Sequence, residues 1–154
     1  MVLRVAVGED QLEIVRYLVA NGAMLNLQEK KHRFTPLMLV MAQQHPSFEK
    51  IFQTILKGKP YLNLQESSVQ TVLHLATHFI EKLFWTAAND SEYEEETVLK
   101  LLLKTKANVN AVYMKKMTAL HIAVRKGNIE IVQKVIETGR ANVNAVDGKG
   151  DTPL

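Results

Sequence analysis

The chain has 154 residues, of which 47% are hydrophobic and 23% are charged, and its formal net charge is +3. This composition is typical of a soluble, foldable chain and excludes a disordered one, and the absence of cysteine excludes disulfide bonds and thiolate metal sites. No apolar run approaches the roughly 18–20 residues that span a bilayer, and the first residues already belong to the pattern described below, so no signal peptide is expected.

One phrase returns four times along the chain, and its fullest form is Thr-Ala-Leu-His-Ile-Ala. Its copies begin at Thr35, Thr71, Thr118 and Thr152, which are 36, 47 and 34 residues apart. An asparagine stands eight or nine residues before each threonine, at Asn26, Asn63, Asn110 and Asn144. The two spacings agree, so they indicate a repeat with a base period of about 33 residues. The middle interval carries about 14 residues more than this period.

In chain order, the first helix with a clear apolar stripe is predicted over residues 12–19, and Asn21-Gly22 ends it. In the next segment Pro46 predicts a loop between two helices, because proline is poorly tolerated inside a helix. Residues 51–56 then carry apolar side chains at helical spacing.

The third segment is predicted to hold a long helical insertion. Apolar residues at helical spacing predict a first helix over 74–88, broken at Asn89-Asp90-Ser91. Ser91 and Glu94 match a capping box at the start of a second helix, whose stripe includes Val98, Leu99 and Leu102. The aromatic residues of the insertion either pack within it or anchor a partner; they are Phe79, Phe84 and Trp85.

The fourth segment is the most regular. A first helix is predicted over 119–126, a break at Gly127-Asn128 and a second helix over 129–138, ended by Gly139. The turn-rich residues 147–150 then indicate a tight hairpin.

Over essentially its whole length the chain resembles the ankyrin-repeat family, most specifically between Thr118 and Leu154. The resemblance implies an all-α fold, an α-solenoid of helix-turn-helix units with short β-hairpin fingers. The expected repeats cover residues 1–34, 35–70, 71–117 and 118–151, with the start of a fifth at 152–154, in one array over 1–154. Because neither end has the polar cap of a closed solenoid, we expect the array to be truncated at both ends.

The chain departs from the family at its glycines. Gly150 occupies the hairpin position in the last finger, but Val69, Lys116 and Arg33 or a neighbour occupy it elsewhere. Gly22 and Gly139 occupy the position that ends a helix, whereas Lys59 and Lys106 replace them in the middle repeats. A left-handed backbone on a non-glycine residue costs about 1–2 kcal/mol. Looser middle fingers, with faster hydrogen exchange, are therefore expected.

The histidines and acids have structural interpretations. By resemblance His74 and His121 form hydrogen bonds with Thr71 and Thr118 or the backbone; the alternative is a zinc site using His74 and His78, four residues apart on one helix. The acidic residues between 90 and 96 suit a solvated helix start, or alternatively calcium.

The basic residues supply the candidate partner-binding site. Those at the predicted fingertips are either ordinary solvated lysines or an edge that favours an acidic protein segment, with nucleic acid as a third alternative. Together with residues of the predicted groove, the candidates are Lys30, Lys31, Arg33, Ser67, Gln70, Met114, Lys115, Lys116, Arg125, Lys126 and Lys149.

The resemblance implies a non-catalytic module that binds another protein through its fingertips and its concave helix face. No catalytic constellation, phosphate-binding loop, cofactor site or small-molecule site is expected, and neither is nucleic-acid or membrane binding. The alternatives are a targeting segment of a larger enzyme or signalling protein, such as a kinase, a ubiquitin-ligase subunit or a pathogen effector, and an inhibitor that masks a transcription factor. An intracellular location, cytoplasmic or nuclear, is expected.

Overall fold

The computed structural model describes residues 2–43, 45–78 and 95–154. Within these ranges the chain forms helices joined by turns and loops, together with one isolated bridge between Tyr113 and Met117. The helices are α1 (Val2–Gly8), α2 (Leu12–Ala20), α3 (Pro36–Gln43), α4 (Phe48–Lys57), α5 (72–78), α6 (Glu95–Lys104), α7 (Ala119–Arg125) and α8 (Ile129–Glu137), with one 3₁₀ turn at Met114–Lys116.

The helices pack as a succession of antiparallel pairs. Helix α1 contacts α2 and α3, α4 contacts α2 and α3, and α8 contacts α7 and α6. Buried residues of α5, including Leu73 and Ala76, join the same apolar core. Each pair therefore covers the apolar face of its neighbour, because a short helix pair cannot bury both of its stripes alone. The all-α repeat fold expected from the sequence is confirmed.

Local sequence accounts for where the helices begin. Thr118 Oγ1 accepts a hydrogen bond from His121 N at 3.4 Å, and Thr35 Oγ1 accepts one from Met38 N at 3.2 Å. Asn128 starts α8 in the same way, through the amide of Ile131 at 3.1 Å. These side chains satisfy amides that have no partner inside the helix.

Most predicted breaks are confirmed. Pro46 lies between α3 and α4, and the helix α2 ends at Ala20 before Asn21-Gly22. Gly139 follows α8 with a φ of 65°. The proposed extension of α5 beyond residue 78, the break at Asn89-Asp90-Ser91 and the capping box at Ser91 and Glu94 lie outside the described residues, as do the three aromatic residues of the insertion. Within the described ranges, no helix is long and apolar enough to cross a membrane.

Four segments project between the helix pairs, and we name them finger 1 (26–34), finger 2 (63–70), finger 3 (110–117) and finger 4 (144–151). A backbone hydrogen bond closes each finger, from the N–H of Glu29, Glu66, Tyr113 or Asp147 to the carbonyl of Phe34, Gln70, Met117 or Asp151, at 3.2, 3.0, 3.0 and 2.9 Å. No regular strand is present in the described ranges, since one closing bond per finger does not build a ladder.

The recurring asparagines connect one finger base to the next. The first three of them each accept a hydrogen bond through the side chain from a backbone N–H in the following repeat. The pairs are Asn26 with Tyr61, Asn63 with Asn108 and Asn110 with Asn142, each with 2.7 Å between Oδ1 and N. The period of the asparagines therefore reflects inter-repeat contacts rather than chemistry at a site.

The predicted left-handed positions are mostly confirmed. The backbone φ angles at Arg33, Val69, Lys116 and Lys59 are 57°, 66°, 56° and 58°, as expected for residues in place of glycine. Faster hydrogen exchange in fingers 2 and 3 stays a prediction.

Lys106 is the exception, because its φ is not positive. Arg140 reaches back to the end of α6 and donates hydrogen bonds to the carbonyls of Leu103 at 2.5 Å and Ala107 at 3.2 Å. Thr105 Oγ1 donates to the Leu102 carbonyl. Side chains thus satisfy the last carbonyls of this helix, so a left-handed residue is not required there.

Replacing Val69 by glycine is expected to stabilise the protein by about 1 kcal/mol. The change removes about 1–2 kcal/mol of left-handed strain, and part of this is offset by the greater freedom of glycine in the unfolded chain. The melting temperature should rise by about 2–4 °C, measured by circular dichroism. Val112→Gly is the matched control, since Val112 has the same 46% exposure without a positive φ. An equal effect of the two substitutions would contradict this explanation.

Candidate functional site

The predicted basic residues lie on the tips of neighbouring fingers. Ser67 N donates to the carbonyl of His32 at 2.9 Å, which joins finger 2 to finger 1. Gly148 N donates to the carbonyl of Lys115 at 2.6 Å, which joins finger 4 to finger 3. A β-carbon on Gly148 would lie 3.1 Å from that same carbonyl oxygen, so glycine permits the close approach.

A second set of contacts runs along the fingers through glutamine side chains. Gln28 Nε2 donates to the carbonyl of Gln65 at 2.7 Å, and Gln65 Nε2 reaches the carbonyl of Val112 at 3.5 Å. Fingers 1, 2 and 3 are therefore adjacent, and the tips form one edge of the molecule.

In three of the four fingers the fourth residue has a carboxylate that accepts hydrogen bonds from the finger's own backbone. The Glu66 oxygens accept from Ser68 N at 2.9 Å and Gln70 N at 3.0 Å. Asp147 Oδ1 accepts from Lys149 N at 2.7 Å and Asp151 N at 3.1 Å. We call these paired backbone N–H groups the amide cradle of the finger.

Finger 1 has the same arrangement in a turn that is one residue longer. The carboxylate of Glu29 accepts from Lys31 N at 2.7 Å and from His32 N. The carboxylates of fingers 1, 2 and 4 therefore stabilise their own turns, and they are not presented to a partner.

The amide cradles lower the pKa of two of these carboxyl groups. The Lys149 amide lowers the pKa of Asp147 below its usual value; desolvation opposes this, and the Asp151 amide and the nearby His121 and Lys149 reinforce it. Desolvation alone would raise the pKa of Glu29, but its backbone hydrogen bonds and Arg4 outweigh that effect and lower it. Both groups stay ionised around neutral pH.

Finger 3 differs because Tyr113 occupies the position of the carboxylate. The Tyr113 ring packs against the buried ring of His74, with 5.1 Å between the ring centroids. At its tip Lys115 and Lys116 both adopt left-handed backbone conformations, with φ of 59° and 56°. Their side chains are exposed, as is that of Met114.

The predicted site residues divide into two groups. The exposed tip residues are Lys30, Lys31, Arg33, Ser67, Met114, Lys115, Lys116 and Lys149. Finger 2 contains no lysine or arginine, so the positive charge is on fingers 1, 3 and 4 and not continuous along the edge.

The remaining three predicted residues contact their own chain. Gln70 is half-buried, and its amide is bound by Glu66. Arg125 and Lys126 lie at the end of α7, away from the tips. Arg125 Nη1 is 3.0 Å from the sulfur of Met117, and Lys126 Nζ donates to the His78 carbonyl at 3.1 Å.

Sequence reasoning missed the carboxylates Glu29, Glu66 and Asp147 as a recurring feature. A signal was present, since Leu-Gln-Glu recurs at residues 27–29 and 64–66 in phase with the asparagines. It also missed Tyr113 as the departure from that pattern.

The structural role of the two repeated histidines is confirmed. His74 Nδ1 accepts from Thr71 N at 3.2 Å and lies 2.9 Å from Thr71 Oγ1, and His121 contacts Thr118 at the same distances. Burial lowers the pKa of His74 to about 4, although the carbonyls of Ala111 and Met117 oppose the shift. The described residues include no group of three metal-ligating side chains.

A surface groove of about 740 Å³ lies at the bases of fingers 2 and 3. It is lined by residues 59–64 together with Leu56, Thr105 and Lys106. Asn63 within this lining is already bonded to Asn108.

Comparisons with known proteins agree with this architecture. Residues 83–154 match the family model described as ankyrin repeats (3 copies). The chain is 28% identical over 130 residues to transient receptor potential cation channel subfamily A member 1 of Drosophila melanogaster, covering 84% of this chain and 10% of the channel. It is 28% identical over 153 residues to the nuclear factor NF-kappa-B p105 subunit of Gallus gallus, covering 99% of this chain and 14% of that protein.

An ankyrin repeat protein of fowlpox virus (strain NVSL) is 30% identical over 159 residues, which covers 99% of this chain and 41% of the viral protein. The chain thus spans well under half the length of these relatives. Ankyrin repeats are protein-interaction modules and are typically non-catalytic. The repeated helix pairs, the threonine–histidine caps and the family match lead to one conclusion: residues 83–154 belong to the ankyrin-repeat family, and the helix pairs before them have the same repeat architecture.

Proposed function

We propose that this chain is a non-catalytic interaction module that binds an acidic segment of another protein through its fingertips and its concave helix face. The observation that supports this proposal most directly is that the acidic side chains of the fingers are bound to the backbone, while the basic side chains are exposed. Glu29, Glu66 and Asp147 are bound to backbone amides, whereas the tip lysines extend into solvent. Such an edge favours a negatively charged partner.

The charges of the tips are not neutralised by ion pairs within the described part of the chain. An ion pair joins Arg16 and Glu13 at 3.1 Å on α2, and neither residue belongs to a finger. Exposed ion pairs contribute little to affinity individually, so several tips have to act together. Affinity for the partner should therefore depend strongly on salt concentration.

Several properties belong to the same proposal. The chain forms one array over residues 1–154, with repeats at 1–34, 35–70, 71–117 and 118–151. It carries no catalytic, cofactor or metal site of its own, does not bind nucleic acid, small molecules or membranes, and acts inside the cell.

A second proposal concerns the protein as a whole. The relatives include a cation channel and a nuclear factor subunit, and this chain spans only 10% and 14% of their lengths. We propose as the alternative that the array is a targeting or regulatory segment, with any catalytic or signalling activity outside these residues. The full-length reading frame distinguishes the two proposals.

Reversing four fingertip charges is expected to abolish capture of acidic partners. The variant combines Lys30→Glu, Lys31→Glu, Lys115→Glu and Lys116→Glu. Losing four attractive contacts and creating repulsion should weaken binding by roughly tenfold or more. Immobilised wild-type and variant chains are compared by affinity capture from cell extract, followed by mass spectrometry of the retained proteins.

The control combines Lys50→Glu, Lys57→Glu, Lys104→Glu and Lys106→Glu, which changes the net charge equally at exposed positions away from the tips. The fingertip variant should lose proteins with acidic segments that the control retains. Equal retention by both variants would exclude the fingertips as the binding site.

A further inference from the structure

The third finger lacks the internal carboxylate that its neighbours have. Residues 110–117 contain no aspartate or glutamate, and Tyr113 stands where Glu66 and Asp147 stand in fingers 2 and 4. The Tyr113 ring is directed towards His74, so it packs beneath the finger. Finger 3 is thus closed by a backbone hydrogen bond from Tyr113 to Met117, as its neighbours are, but without an internal anion. Its tip has two left-handed residues, Lys115 and Lys116, where fingers 2 and 4 have one each.

Finger 3 retains one of the two donors of an amide cradle, the N–H of Lys115, since the N–H of Met117 donates to the Met114 carbonyl at 3.5 Å. The N–H of Lys115 corresponds to those of Ser68 and Lys149, which bind Glu66 at 2.9 Å and Asp147 at 2.7 Å. In finger 3 no described side chain accepts a hydrogen bond from Lys115 N. The carbonyl of Lys115 is bound by Gly148 N at 2.6 Å, and this contact positions the tip.

The charged side chains of this tip itself are positive, while the contacting finger 4 carries Asp147, which is bound to its own turn, and the exposed Asp151. Lys115 and Lys116 are both exposed and both belong to the tip, which has no acid of its own. In the adjacent finger 2 the carboxylate of Glu66 is only 5% exposed and is bound by its own turn. A carboxylate that approaches finger 3 from the side of finger 2 therefore meets a backbone donor and two ammonium groups, and fingers 2 and 3 place no exposed acid beside it.

We propose that the tip of finger 3 binds an aspartate or glutamate side chain of the partner, in the place that Glu66 and Asp147 occupy in their own fingers. The proposal rests on the acidic partner proposed above and assigns one of its contact points. The partner's carboxylate completes the turn, because it supplies the acceptor that this chain supplies itself in fingers 1, 2 and 4. Lys115 and Lys116 stabilise its charge.

The test uses a hexaglutamate peptide as the probe and amide ¹H–¹⁵N nuclear magnetic resonance spectra of the whole chain as the readout. In the wild type, titration should shift the Lys115 amide resonance downfield, as expected when an amide begins to donate to a carboxylate. Tyr113→Asp restores an internal carboxylate, so this shift should disappear and affinity for the peptide should fall by about tenfold.

Val112→Glu is the matched control, because it adds the same charge at the neighbouring exposed position without entering the cradle. It should weaken binding much less than Tyr113→Asp and preserve the shift at Lys115. Tyr113→Asn loses the aromatic packing on His74 as Tyr113→Asp does but adds no carboxylate, so it should keep the shift at Lys115, which separates a filled cradle from lost packing.

The outcomes are distinguishable. The carboxylate site on finger 3 would be ruled out if the peptide shifted only finger 1 resonances. It would also be ruled out if Val112→Glu weakened binding as much as Tyr113→Asp. Either result would still be consistent with an acidic partner. If inorganic phosphate shifts the Lys115 amide at lower concentration than the peptide does, a carboxylate is the wrong ligand. If the peptide binds nowhere on the chain, both proposals fail.

Discussion

Lowering the pH from 7 to 4 is expected to reduce the free energy of unfolding by about 3 kcal/mol through His74 alone. The side chain is 1% exposed, and burial lowers its pKa from 6.5 to about 4. Its Nδ1 already accepts hydrogen bonds from Thr71, and the nearby carbonyls of Ala111 and Met117 offset only part of the cost of burying a charged ring. A proton on this ring therefore introduces a charge that the folded chain does not stabilise well.

The sign of the effect follows from the two pKa values. The unfolded chain binds the proton as the pH falls below about 6.5, while the folded chain resists it until the pH is about 4. Stability is therefore complete above pH 6.5 and is lost progressively between pH 6.5 and pH 4. Urea unfolding followed by circular dichroism at pH 7, 5.5 and 4 measures this loss.

His74→Leu identifies the residue responsible. This variant should be less stable at pH 7, because the Thr71 amide loses its acceptor, but its loss between pH 7 and pH 4 should be about 3 kcal/mol smaller. His121→Leu makes the matched change in the next repeat and controls for the loss of a threonine–histidine cap. Equal acid sensitivity in the wild type and in His74→Leu would show that His74 is not the cause.

Replacing Phe52 by alanine is expected to reduce the free energy of unfolding by about 3–5 kcal/mol. Phe52 lies on α4, its side chain is fully buried at 0% exposure, and α4 packs against both α2 and α3. The truncation therefore opens a cavity where two repeats meet. In a linear array the cost falls on the damaged unit and its neighbours, so α1 to α4 should unfold before α8.

Phe48→Ala is the control on the same helix. The two rings are in tilted contact with centroids 6.2 Å apart, but Phe48 is only partly buried. Phe48→Ala should reduce the free energy of unfolding by less than half as much as Phe52→Ala, because the space it leaves is open to water. Denaturant unfolding gives both values, and hydrogen exchange locates the damage. Equal losses for the two variants would mean that Phe52 is not a central contact between the repeats.

The helices were predictable because their signals are local. Apolar spacing in residues 51–56 and 129–138, the position of Pro46 and the glycine at Gly139 depend on neighbours within a few turns of the chain. The left-handed backbone at Val69 was predictable from repeat alignment alone. At Lys106 the same reasoning failed, since Arg140 from the next repeat satisfies the end of α6.

The candidate site was predictable only in part. The lysines of the tips were found because charged residues in turns are exposed in nearly any fold. Arg125 and Lys126 were grouped with them, but they contact Met117 and His78 of their own chain. The hydrogen bonds between the finger carboxylates and their own backbone could not be inferred from the sequence, because a carboxylate in a turn can face either solvent or the backbone.

By itself, the sequence determined the repeat, the helix pairs and the family, because these follow from periodicity and from caps that act within a few residues. Only the tertiary structure decided which charges are available to a partner. The availability of a charge depends on contacts between residues 33 to 47 positions apart in different repeats, such as the hydrogen bond from the Gly148 amide to the Lys115 carbonyl. A hydrogen bond about 3 Å long fixes the orientation of a side chain only when the folded chain brings its partner close. These orientations therefore cannot be read from the composition.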